Sequence, residues 1–175
     1  MALLGPEEAK FSKTDGDIMK SIRRLRREDN LGELLALCKE FFAEYESHHE
    51  EFFDTDDLTD DDLSGRFQES IDSETGATFV ALSDGKIVGY CSVAVREQPK
   101  FYKIKKVGAI WALMVAGDYR RRGIAGRLLN EAKKFLRDHG IKYFTLYMAA
   151  GNKDALEFYR RHGLKPLHVS YLGES

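Results

Sequence analysis

The chain has 175 residues, 43% hydrophobic and 32% charged, with 15 Gly against only 3 Pro, which fits one folded domain and excludes a collagen or a low-complexity linker. Its 27 Lys and Arg nearly balance 29 Asp and Glu, for a net charge of −2, so the total gives no sign of a nucleic-acid partner. No apolar run reaches the roughly 18 residues of a membrane-spanning helix, and Met1–Leu4 is too short and uncharged for a signal peptide; a cytoplasmic protein without a membrane partner is expected.

Residues 1–17 show no periodicity and read as a disordered or tag-like extension, leaving a single domain over 18–175. Ser21–Arg26 is predicted as a first strand. Asp29 is placed to cap a helix whose Leu31, Leu34, Leu35, Cys38, Phe41 and Phe42 recur at helical spacing, as far as about Glu46. His48 to Asp62 has loop character, and Leu63, Phe67 and Ile71 then mark a second helix. Ala77–Leu82 and Ile87–Val95 read as strands joined by a hairpin turn at Asp84-Gly85. Val107–Val115 is a nearly continuous apolar run, as expected for a central strand covered on both faces. A helix from Ile124 to His139 follows, ended by Gly140, then a strand over Lys142–Met148. A helix from Lys153 to His162, capped by Asn152 and stopped by Gly163, leads to a last strand near Leu167–Leu172. Hairpin strands followed by strand, helix, strand, helix, strand predict an α+β domain on a mixed sheet.

Charge is unevenly spread. Between Glu40 and Glu74 fourteen acids stand against one base, Arg66, whereas between Lys100 and Arg137 eleven bases stand against two acids. Such a chain is suited to hold an anion with one part and a cation with another. Cys38 and Cys91 lie in apolar surroundings without CxxC or Cys/His spacing and read as small buried hydrophobes, not as a disulfide or zinc site. His48 and His49, adjacent on a helix, would point apart, so no metal is expected.

The segment Leu113–Gly126, LMVAGDYRRRGIAG, joins a central strand through a tight turn to the start of a helix. The first amides of a helix have no internal partner and carry the positive end of its dipole, so such a turn is suited to a phosphate. Gly123 and Gly126 let a ligand approach the backbone, and Arg120, Arg121 and Arg122 add charge at the rim. A solvated basic helix start is the alternative reading.

Arg120, Gly123 and Ala125 form R-x-x-G-x-A after the apolar strand, and Asn152, Ala155, Tyr159 and Gly163 form N-x-x-A-x-x-x-Y-x-x-x-G. In this order and spacing they resemble the acyl-CoA-binding region of the GCN5-related N-acetyltransferases, with Leu164 where that family usually has Phe. A P-loop does not fit, because no Lys-Ser/Thr follows the glycine, nor does a dinucleotide-binding Rossmann unit, because hairpins precede the motif instead of a βαβ unit. The resemblance implies an α/β/α layered fold: a mixed, mostly antiparallel sheet with a splayed central strand pair and helices on both faces. It implies acetyl-CoA as cosubstrate, with the backbone of Leu113, Met114 and Val115 along the pantetheine arm and one of these amides polarising the thioester carbonyl. The amides of Arg121, Arg122, Gly123, Ile124, Ala125 and Gly126 would hold the pyrophosphate, and Asn152 would contact the pantetheine. A bulge in the central strand also belongs to the family, and Gly117 is a candidate contributor.

Tyr159 matches the family's general acid, which protonates the departing thiolate; a phenol with a pKa near 10 stays protonated at neutral pH. Its other reading is a half-buried aromatic on a helix. The glutamates that two branches of the family use as bases are replaced here by Ala109 and Tyr147; Glu44, Glu46 and His48 are candidates on the first helix or its exit, each also readable as a solvated surface group, and none is assigned as the base. Cys91 reads as structural, so direct attack by the amine is preferred to a ping-pong route. The expected function is an acetyl-CoA-dependent N-acetyltransferase acting on a primary amine of a small cationic molecule or peptide, with the acidic connection Glu50–Asp62 steering the cation. An acyl-CoA-binding sensor or partner module without turnover is the alternative. A nucleic-acid binder using Lys100–Lys106 and Arg120–Arg127 ranks last. The family also makes a homodimer an expectation.

Overall fold

The computed structural model describes residues 21–174, so the extension expected over 1–17 lies outside the described residues. Its elements are β1 (Ser21–Arg24), α1 (Leu31–Glu46), α2 (Asp60–Asp72), β2 (Gly76–Ser83), β3 (Lys86–Glu97), β4 (Lys106–Val115), a 3-10 turn (Gly117–Tyr119), α3 (Ile124–Asp138), β5 (Phe144–Leu146) and α4 (Lys153–Arg161). The strands lie side by side in chain order, antiparallel from β1 through β4, with β5 parallel to β4. This is the mixed, mostly antiparallel sheet expected from the sequence.

Alternation along the strands sends side chains to two cores. Val88, Cys91, Val93 and Ile110 meet Leu128, Leu129, Ala132 and Leu136 of α3 on one face. Val80, Tyr90 and Met114 meet Leu34 and Cys38 of α1 and Leu63 and Phe67 of α2 on the other. The Tyr90 ring is fully buried and stands edge-on to Phe67, with centroids 5.5 Å apart. The run over β4 is apolar because β4 is covered on both sides. Arg24 fastens α2 to the sheet, donating to the carbonyls of Ser70, Ser73 and Gly76 at 2.6–2.8 Å.

Helix ends are set by local chemistry. Asn30, not Asp29, caps α1 and accepts from the Gly32 amide at 3.1 Å. Asp29 is drawn instead to the Arg23 guanidinium at 2.5 and 2.7 Å and to the Arg26 amide at 2.8 Å, contacts that hold its carboxyl below the usual range. α2 begins ahead of its apolar spacing because Thr59 and Asp62 form a capping box. α3 and α4 end alike. In each, a histidine Nδ1 meets the carbonyl of a phenylalanine four residues earlier, His139 on Phe135 at 2.7 Å and His162 on Phe158 at 2.8 Å. Left-handed Gly140 and Gly163 then turn the chain, and Ile141 and Leu164 donate back to Leu136 and Tyr159. The β2–β3 hairpin has both central residues at positive φ, Asp84 at 48° and Gly85 at 81°, as a primed turn requires.

Two expectations need correction. β5 spans Phe144–Leu146 instead of Lys142–Met148, and the stretch near Leu167–Leu172 forms no strand. Its alternation is real, but a strand needs an edge to pair with, and β5 offers only three residues. Leu167, Val169, Tyr171 and Leu172 are exposed instead. No helix among the described residues is long and apolar enough to cross a membrane.

Two glycines separate packing from propensity. A Cβ on Gly89 would lie 2.9 Å from the Met114 carbonyl oxygen and 3.2 Å from Val115, whereas one on Gly65 in α2 would meet nothing within 4 Å. Gly89→Ala is expected to lose about 1–3 kcal/mol in urea unfolding, and Gly65→Ala to gain about 0.5–1 kcal/mol.

Candidate active site at the open edge of the central strand

β5 pairs with β4 only through Gly108, Ala109 and Ile110. Immediately beyond, the β3–β4 register shifts: Val93 faces Ile110 and Ser92 faces Ala112, so Trp111 is an extra residue on β4. Such a bulge bends and twists its strand, and it parts β4 from β5. Gly117 lies past β4 in the 3-10 turn and does not make the bulge.

The register shows which backbone groups the gap receives. The Ala116 amide donates to the Val88 carbonyl at 2.9 Å, and hydrogen-bonded and open pairs alternate along an antiparallel ladder. Met114 therefore turns its amide toward Tyr90, while Leu113 and Val115 turn theirs to the unpaired side. The Val115 carbonyl accepts from Arg120 Nε at 2.9 Å.

The chain next enters the cradle. Arg121 at φ 63° and Gly123 at φ 77° are both left-handed, and Gly123 caps α3 without a side-chain bond. The Arg127 amide is the one that closes the first turn, onto the Gly123 carbonyl at 3.2 Å, so the amides of Ile124, Ala125 and Gly126 point out of the helix end with no partner inside it. They make an anion site with the dipole behind them. Arg121 and Arg122 are exposed beside it, the Arg122 guanidinium 5.6 Å from the Tyr119 ring centroid. Arg120 has a different job: besides Val115 it reaches Glu44 Oε2 at 2.6 Å and Glu40 at 3.8 Å, tying the turn to α1. A Cβ on Gly126 would come 3.0 Å from His162 Nε2, so this glycine leaves room for the His162 ring.

α4 carries the remaining residues. Asn152 Oδ1 caps the helix by accepting from the Ala155 amide at 2.9 Å, which leaves its NH2 to donate to a ligand. Burial pushes the Tyr159 phenol well above its usual value, and the nearby Cys91 thiol adds to the shift. Tyr159 therefore stays protonated across the physiological range. Burial also pushes the Cys91 thiol up to about 12. Both cysteines are free and buried, in keeping with a structural reading.

The candidate bases separate. Glu44 is held by Arg120, and Glu46 accepts from the Thr55 hydroxyl. His48 stands apart: its Nδ1 would be 3.5 Å from a Cβ on Gly151, the residue before Asn152, and its Nε2 is buried with no hydrogen-bond partner among the described residues. Ala109 is buried and Tyr147 exposed. Trp111 escaped sequence reasoning, although a lone bulky aromatic in an otherwise aliphatic run was its one signal.

A family model described as the acetyltransferase (GNAT) family matches residues 34–164. An N-alpha-acetyltransferase of Arabidopsis thaliana is 34% identical over 97 residues, covering 54% of this chain and 49% of the relative. The chain spans half or less of its first curated relatives, 40% of one from Methanocaldococcus jannaschii. Among solved structures, a tetramutant of the BH1408 protein of Bacillus halodurans superposes with a TM-score of 0.76 at 19% identity, covering 89% of this chain and all of the other. An aminoglycoside acetyltransferase from an uncultured soil metagenomic sample gives 0.62 at 27% identity, covering 90% and 97%.

The raised phenol fixes a pH dependence. A group whose pKa is higher in the folded state contributes stability that is complete below its unfolded value and is lost as pH rises toward the folded one. Urea stability is expected to fall above about pH 10, the ordinary phenol value, and to fall less steeply in Tyr159→Phe.

Proposed function

The chain belongs to the acetyltransferase (GNAT) family, and on that premise we propose that it transfers the acetyl group of acetyl-CoA to a primary amine of a small cationic molecule or peptide, by direct attack in a ternary complex. The observation that carries this reading is one continuous surface: the unpaired edge at Leu113 and Val115 runs straight into the helix-end cradle of Arg121–Gly126. This surface fits the cosubstrate, since a diphosphate needs clustered amides and an extended amide-bearing arm needs a free strand edge.

Acetyl-CoA supplies an activated acyl group as a thioester. The amides of Ile124, Ala125 and Gly126 bind its anionic end. Leu113 presents an amide and a carbonyl, and Val115 an amide, so an arm laid along β4 is held like an added strand. An amide at this edge also polarises a carbonyl lying against it. Tyr159 holds its proton for the departing sulfur, and burial keeps it there. For the acceptor, the connection between α1 and α2 exposes Glu50, Glu51, Asp54, Asp56 and Asp57 beside the rings of Tyr45, Phe52 and Phe53, which meet edge to face at 4.8 and 4.9 Å. Carboxylates with aromatic faces favour an ammonium group. The names of two similar proteins, an N-alpha-acetyltransferase and an aminoglycoside acetyltransferase, set the acceptor classes to try first.

The test is release of free CoA thiol from acetyl-CoA against polyamines, aminoglycosides, amino acids and free-amine peptides. Turnover with one class is expected, and Tyr159→Phe should lower kcat by about 10²–10⁴ while the Kd for CoA holds. A left-handed alanine costs about 1–2 kcal/mol, so Gly123→Ala should raise that Kd roughly tenfold. Tight CoA binding without turnover would point to a binding module, and failure to bind CoA would overturn the reading.

A further inference from the structure

We propose that His48 is the base that takes the proton from the acceptor's ammonium group. The inference rests on the transfer reaction proposed above and adds the residue that makes the amine nucleophilic. An ammonium group has no lone pair, so attack waits for a proton acceptor within reach.

Four observations converge on His48. The chain leaving α1 places its Nδ1 against Gly151, in the loop that delivers Asn152 and α4. Its Nε2 is buried without a hydrogen-bond partner among the described residues, a status it shares with Arg24 Nε, Tyr90 Oη and Arg96 Nε, but of these only His48 also lines a surface depression. The same ring lines a depression of about 320 Å³ with His49, Glu50, Glu51, Phe52 and Leu172, at the lower end of the usual range for small-molecule sites. The competing carboxylates are engaged, Glu44 by Arg120 and Glu46 by Thr55.

The titratable groups sharing the depression are His49, Glu50 and Glu51, while Gly151 and Leu172, from other segments, bring no charge. The two acids draw a cation in, and His48 stands beside them as the proton acceptor.

The protons balance. The ammonium gives one proton to the His48 imidazole, and the freed lone pair forms the C–N bond to the thioester carbonyl carbon. As the C–S bond breaks, the sulfur takes the proton of Tyr159. The nitrogen's second proton restores the phenol, and His48 releases its proton to water, so each amide formed yields one thiol and one proton.

The test uses the full chain. The ring signals of His48, assigned by their loss in His48→Gln, should move when spermidine or kanamycin is added to the CoA-bound protein, while those of His139 stay. With whichever acceptor turns over, His48→Gln should lower kcat/KM about a hundredfold near pH 7 and abolish the acidic limb of its pH profile. Its Kd for CoA should stay within twofold, which also certifies the fold. Unmoved His48 signals with both probes, or a His48→Gln variant with unaltered kcat/KM and acidic limb, overturns the proposal. Failure of the acetyl-transfer reading appears separately, as loss of CoA binding by the unaltered chain.

Discussion

One extra residue in β4 decides where this sheet opens. β4 is covered on both faces, by α3 on one side and by α1 and α2 on the other, so a ligand can reach its backbone only along an edge. β5 closes that edge for three residues, and the bulge at Trp111 ends the pairing. Buried amides without partners are costly, so an unpaired stretch of central strand is tolerated where solvent or a ligand completes it. The stretch is short, reaching from the bulge to the end of β4, where the turn into α3 begins at once. Arg120 holds that turn, bonded at one end to the Val115 carbonyl and at the other to Glu44 of α1. Edge and cradle are thus placed by one arginine instead of by a flexible loop.

α4 completes the arrangement from the far side. Phe158 packs on the α3 core and stacks on His162, whose Nε2 lies over Gly126. An added Cβ at position 126 would stand 3.0 Å from that nitrogen, so the His162 ring would have to give by a few tenths of an ångström. The burial that makes the phenol hard to ionise is the same packing that fixes its position. A donor to a leaving thiolate gains from both, because it must be protonated and within reach when the C–S bond breaks.

Much of this was legible in the sequence, and the parts that were not share a cause. The β2–β3 hairpin, the β4 run and the amphipathic α3 are written in local pattern, and local pattern gave them within a few residues. Asp29 and Asn30 are equally good caps by residue type, and Arg23, six residues earlier in β1, decides between them. The alternation of Leu167–Leu172 is the pattern of a strand, yet pairing is non-local and β5 is too short to receive it. In the site, the motif residues were readable by spacing. The division of Leu113 and Val115 from Met114 was not, because it depends on the parity of the β3–β4 register after the bulge.

The acidic half of the chain was legible as charge but not as purpose, and the structure divides it. Glu40 and Glu44 are engaged with Arg120, Asp60 with Lys39 at 2.6 Å, Asp72 with Arg27, and Glu46 with the Thr55 hydroxyl. Asp62 closes the capping box of α2, and Asp61 sits in the first turn, where negative charge favours the helix dipole. These acids are spoken for by the fold, although exposed pairs among them add little stability each. Glu50 and Glu51 are different, since they line a depression together with His48. These two carboxylates therefore stand beside the imidazole proposed as the base. On the proposed reading, recognition of the acceptor and its activation fall on one short segment, directly after α1.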